Sequence, residues 1–257
     1  MRVSTSMIFQ GLTDKLANNA ADMAQLQSQI ATGNNYATPS DAADIVGRVQ
    51  AVESRLKTLE ADTKAVTRVK VGADAQARAL EIAAEVMDRL KEIAFRGAND
   101  PQPQAVLETL AEEVAGIKRS LVDLANMRDA DDRYVFGGAR SGEIPYVLNA
   151  DGSVTYEGST SPLRVRVSDA SYEDAAVPGV SVWKSIPRDG QAVDMFSILS
   201  GYEDALRSGS VEGRQQGLRD VEALSNNVGL AIAKTGAAQQ RLEISERQAQ
   251  ETAIRAQ

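Results

Sequence analysis

Residues 100–126 read DPQPQAVLETLAEEVAGIKRSLVDLAN, and this stretch decides the fold class. Leu107, Leu110, Val114, Ile117, Leu121 and Leu124 fall at alternating steps of three and four. That rhythm sets the branched apolar side chains on one stripe of an α-helix, with charged and small residues around the rest. Asp100 stands where an N-cap is wanted and Pro101 at the first helical position, so the pattern predicts a helix starting there. A stripe gains stability only by packing against something. Upstream, Ile45, Val49, Val52, Leu56, Leu59, Val66, Ala73, Ala77, Leu80 and Met87 keep the same rhythm, interrupted by the polar Thr63 and Lys70. From Asp41 to Arg96 there is no Pro, which predicts one helix of roughly 80 Å at 1.5 Å per residue. The short connection Gly97–Pro101 folds the two helices back on each other antiparallel.

Working outward, the N-terminal segment carries a narrower stripe. Phe9, Leu12, Leu16, Met23, Leu26 and Ile30 follow heptad spacing, with Asn19 filling the gap. The residues between are Gln, Asn, Ser, Asp and Ala, so a helix over about 5–32 buries little against its own chain. Its seam suits helices of other subunits, and these six residues are the expected subunit interface. Gly33 ends the helix as a left-handed cap, and Thr38, Pro39 and Asp41 read as the next helix start. At the other end, Leu218, Val221, Val228, Ile232, Leu242 and Ala249 recur at helical spacing up to the last residues. The expected helical core is therefore Leu56, Leu59, Leu80, Met87, Leu107, Leu110, Val114, Ile117, Leu121, Leu124, Val228, Ile232 and Leu242.

The middle has another texture. Eight of the eleven aromatic residues lie within residues 133–202. Ser153–Glu157 and Leu163–Val167 alternate with period two, and Asn149–Gly152 is a turn signal. A small hairpin or three-strand patch is expected there. Asp194 to Leu206 reads as a short helix leading into the last one. The fold class is thus mainly α, a long antiparallel helical rod with a small β-rich outer region.

Composition narrows function. The 257 residues include no Cys and no His. Disulfides, thiol nucleophiles, zinc ribbons, imidazole ligands and Ser-His-Asp triads are excluded together. A net charge of −8 argues against binding nucleic acid through its phosphates. No run is long enough to span a bilayer, and no cleavable signal is present. Asp129, Asp131 and Asp132 form the densest carboxylate cluster. They read as a solvated helix end and tight turn rather than a metal site, since no Gly-patterned calcium loop follows. Arg164 and Arg166 share a strand face and read as a surface pair rather than an anion site. No catalytic residue, cofactor site or metal site is expected, and the chain is not expected to be an enzyme.

A set of motifs in fixed order carries a resemblance. Met1-Arg2-Val3-Ser4-Thr5-Ser6-Met7 opens the chain, and Ala31-Thr32-Gly33 closes its first helix. Pro39-Ser40-Asp41-Ala42-Ala43 starts the long helix. Asn126-Met127-Arg128-Asp129 leads into Tyr134-Val135-Phe136-Gly137-Gly138, followed by Gly152–Gly158 and Asp194-Met195-Phe196. Together these resemble the flagellin superfamily, in particular its hook-associated junction members. The resemblance implies an inner-core helix over residues 1–40, rod helices over 41–132, a small β-rich outer region over 133–190, and a C-terminal rod helix within 191–257. It also implies a further C-terminal helix that this sequence does not contain. The implied role is a structural subunit of the bacterial flagellum, at the junction of hook and filament. Implied partners are copies of itself, another hook-associated protein, flagellin and a flagellar export chaperone. Location would be extracellular, after export without a cleavable signal peptide. A flagellin-type filament subunit and a soluble coiled-coil adaptor are the alternatives.

Overall fold

A computed structural model describes residues 5–33, 43–99, 101–168, 171–174, 176–188 and 190–256. Among these described residues six α-helices dominate: α1 (Thr5–Thr32), α2 (Ala43–Ala98), α3 (Gln104–Ala125), α4 (Gly179–Trp183), α5 (Met195–Ser208) and α6 (Val211–Ala256). Between α3 and α5 lie short strands: β1 (Tyr146–Leu148), β2 (Val154–Tyr156), β3 (Arg164–Ser168), β4 (Ser171–Asp174), β5 (Ile186–Arg188) and β6 (Gln191–Val193). The chain divides into two compact units, Met1–Thr58 and Leu59–Gln257. Gly33 has a φ of 67°, the left-handed cap conformation its position demands. The expected start at Thr38, Pro39 and Asp41 lies outside the described residues.

In the larger unit, α2 and α6 run antiparallel. Thr67 Oγ1 donates to Glu246, Gln239 Nε2 to Asp74 at 2.6 Å, and Arg214 Nη1 to the Gly97 carbonyl at 2.6 Å. As the α2 numbers rise, those of α6 fall. Arg214 is buried, and its guanidinium supplies a donor to the carbonyls that end α2. α3 returns along α2, tied by Arg89 to Glu113 at 2.7 Å.

Three local expectations are corrected. First, α3 begins at Gln104 with Pro103 as its extended N-cap, not at Pro101. Pro103 disfavours the helical conformation for Gln102, so a helix entered at Pro101 would stall one residue later. Second, α2 runs to Ala98, two residues past Arg96. Third, β2 and β3 do not pair with each other. β1 pairs with β2, β3 with β4 and β5 with β6, giving three separate antiparallel hairpins.

The short helix α5 is the fourth member of the packing. Asp194 caps it, accepting from the Phe196 amide at 2.8 Å and the Ser197 amide at 3.3 Å. Its far end packs on α3, where Arg207 meets Glu112 at 2.7 Å and Gln104 Nε2 donates to the Arg207 carbonyl at 2.7 Å. It lies close on α6 because two glycines, Gly213 and Gly217, stand one turn apart beneath Ala205 and Tyr202. The main core joins α2, α3, α5 and α6 with Phe136, Tyr146, Trp183 and Ile186 from the connecting region. Phe136 and Trp183 meet edge to face at 5.3 Å, and Tyr146 leans on Tyr156 at 4.8 Å.

Tyr202 is the peg of this core. Burial pushes its hydroxyl up to about 12, with Arg214 opposing the shift. Burial also raises the Tyr146 hydroxyl far above the ordinary phenol range. The folded state therefore holds these protons more tightly than the unfolded chain does. The stabilisation is complete below pH 10 and is lost as pH rises from 10 through about 12 for Tyr202. We expect chemical-denaturation stability to fall by about 2 kcal/mol over that window from Tyr202. Tyr202→Phe should make the alkaline slope shallower, leaving the part due to Tyr146; an unchanged slope in this variant would refute the assignment.

Candidate assembly interface

The N-terminal unit presents its apolar stripe to solvent. Phe9, Leu12, Leu16, Met23, Leu26 and Ile30 are all exposed, between 56% and 81%. α1 is nearly uncharged, with Asp14, Lys15 and Asp22 its only ionisable residues. Val49 and Val52 of α2, in the same unit, are exposed as well. Apolar side chains at heptad spacing on an almost neutral helix favour association with other helices, since burying them costs little charge desolvation.

The expected core residues fall into different places. Leu80, Met87, Leu107, Leu110, Val114, Leu121 and Val228 are buried in the main core. Ile117, Leu124 and Ile232 are partly buried against it. Leu242 belongs to a second cluster with Val66, Ala73, Val165 and Val167. Leu59 is only half-buried, and so is Leu56, which belongs to the smaller unit. The stripe of α2 is covered from Val66 onward, where α6 and the β3–β4 hairpin supply partners.

Gln76 is a structural residue that the periodicity hides. It is fully buried, and its amide is satisfied on both sides. Nε2 donates to the carbonyls of Val135 at 3.0 Å and Val177 at 2.8 Å. Oε1 accepts from the Val177 amide at 3.0 Å and from Thr235 Oγ1 at 3.3 Å. One side chain thus ties α2, α6 and two connecting segments. Gly213 and Gly217 also escape a reading of apolar rhythm, although two glycines at i and i+4 in a helix are a visible signal of close approach.

The carboxylate cluster is a turn. Asp129 Oδ1 accepts from the amides of Asp131 and Arg133, Asp131 pairs with Arg68, and Asp132 pairs with Arg128. Arg128 also stacks over the Tyr134 ring at 4.4 Å. Arg164 and Arg166 face carboxylates, Asp174 and Asp62 respectively. Among the described residues no group of three His, Cys, Asp or Glu side chains could hold a metal ion. Among the same residues no helix is long and apolar enough to cross a membrane.

Comparison with known proteins bears on the family and the fold. The family model for the bacterial flagellin N-terminal helical region matches residues 3–141. Flagellar hook-associated protein 3 of Salmonella typhimurium is 25% identical over 190 residues, covering 72% of this chain and 58% of that protein. Flagellar hook-associated protein 3 of Escherichia coli is 22% identical over 239 residues, covering 91% of this chain and 73% of that protein. The chain thus spans little more than half the length of the first of these relatives. Among solved structures, the flagellar junction protein FlgL from Legionella pneumophila shares the fold, with a TM-score of 0.64 at 14% identity, covering 82% of this chain and 98% of that one. With over half its length matched by that family model, the chain belongs to the bacterial flagellin family.

Proposed function

We propose that this protein is a structural subunit at the junction between flagellar hook and filament, built in by helix packing with its neighbours. The carrying observation is the exposed heptad seam of α1, six apolar residues on a nearly neutral helix. The similarity to the Salmonella and Escherichia hook-associated proteins and to the Legionella junction protein supports this reading. In it, residues 1–40 serve the inner core, 41–132 and 191–257 the helical rod, and 133–190 the outer surface. The partners are further copies of the chain, another hook-associated protein and flagellin, with a chaperone during export. Its work is packing, not catalysis.

Electron microscopy of a deletion strain tests the placement. The expected result is hooks without attached filaments, restored by the gene in trans. Normal-length filaments on the deletion strain would refute it. Immunogold label on the tagged protein should mark the filament base; label along the whole filament would make it a filament subunit instead.

A further inference from the structure

We propose that the β3–β4 hairpin is a strap over the α2–α6 pair, opening as a unit while the main core stays folded, with Arg166 and Asp62 as its latch. Both roots of this segment are pinned. On the N-terminal side, the Ala139 amide donates to the Ser161 carbonyl at 3.1 Å, and Pro162 follows. On the C-terminal side, Val177 exchanges two hydrogen bonds with the buried Gln76, at 2.8 and 3.0 Å.

Between these roots the hold is lighter. Val165 and Val167 join Val66, Ala73 and Leu242 in a cluster separate from the main core. Five buried side chains of small or medium size, with Ala65 and Val69 packed against them, offer much less apolar burial than the aromatic-rich core beside them. Among the described residues the polar hold includes two ion pairs: Arg166 meets Asp62 Oδ1 through Nε at 3.0 Å and Nη2 at 2.8 Å, and Arg241 meets Glu173 at 3.3 Å. Asp62 is the buried member, so the Arg166 contact is the costly one to break. The ladder is itself interrupted, with a register shift between Arg166 and Ser168. A locally weak segment with fixed ends opens below the free energy of global unfolding. Opening bares Val66, Ala73 and Leu242, the apolar strip that the strap shields in the closed chain.

Hydrogen–deuterium exchange on the full chain tests this. Amides of residues 164–168 and 171–174 should exchange faster than those of residues 75–93 in native buffer. Asp62→Asn should accelerate the strap by about tenfold and leave the core unchanged. The chain has no native cysteine, so Val165→Cys gives a second readout. Its thiol should react with a maleimide under conditions in which Leu90→Cys, placed in the main core, stays protected. Three outcomes would overturn the proposal: strap amides exchanging only with the core, equal acceleration of both by Asp62→Asn, or equal protection of the two thiols.

Discussion

Gly217→Ala will cost this protein about 3 kcal/mol, which for a unit of this size lowers the melting temperature by roughly 6–12 °C. A Cβ at position 217 would overlap Cδ2 and Cε2 of Tyr202 and lie 2.8 Å from its Cγ. Such contacts are relieved only when the obstructing group can move away, and this ring cannot. Its other side presses on α2, where the hydroxyl lies 2.7 Å from the place of a Cβ on Gly97 and 3.5 Å from the Ile93 carbonyl. The alternative is for α5 to lift off α6, which also separates Ala205 from Gly213 and loosens the main core. The same substitution elsewhere on α6 provides the control. Gly229 and Gly236 face open space, so alanine there should stabilise the helix by about 0.5–1 kcal/mol. Opposite signs for one chemical change on one helix can be read by circular dichroism melts of the three variants. In a double-mutant cycle with Tyr202→Ala, the two losses should sum to less than their separate values, because the ring is the obstacle. A Gly217→Ala variant melting at the wild-type temperature would refute the close-packing account.

What periodicity reveals and what it hides separates along physical lines. The heptad spacing predicts α1 over about 5–32, and the helix spans Thr5–Thr32. A long heptad run repeats one local rule many times, so its bounds survive a few exceptions. The start of α3 depends on a single residue, Pro103, whose effect on Gln102 outweighs the better-looking cap at Asp100. The hairpins are half legible. The alternating stretches Ser153–Glu157 and Leu163–Val167 mark β2 and β3, whereas β1, β4, β5 and β6, of three or four residues each, lie in no such stretch. Pairing is decided by neighbours in space, and no strand names its partner. Gln76 is invisible for a related reason: a buried amide is stable only where four partners converge, and the sequence around it does not tell where Val135, Val177 and Thr235 will lie. The seam of α1 is the most legible feature, because an exposed stripe is a property of one helix alone.

That seam carries the strongest functional prediction. Leu16→Asp or Leu26→Asp should abolish complementation of the deletion strain, reducing motility by more than tenfold, while the thermal transition of the purified chain stays at the wild-type temperature. Both leucines are mostly exposed in the free chain, at 63% and 56%, so replacing them removes little packing there. In an assembly each would be buried against a neighbouring helix, contributing about 1.5–3 kcal/mol. A carboxylate in the same place would in addition have to be desolvated without a partner. Every subunit repeats the defect, so the penalty multiplies around the assembly. Gln25→Asp adds the same charge one residue from Leu26 but off the stripe, and should complement normally. Motility halos, filament counts per cell and a melting curve of each purified variant give the readout. Normal motility of Leu16→Asp and Leu26→Asp would remove the seam from the assembly. Loss of the thermal transition would instead place α1 inside the fold of the free chain, where its exposed side chains leave no cause for such a loss.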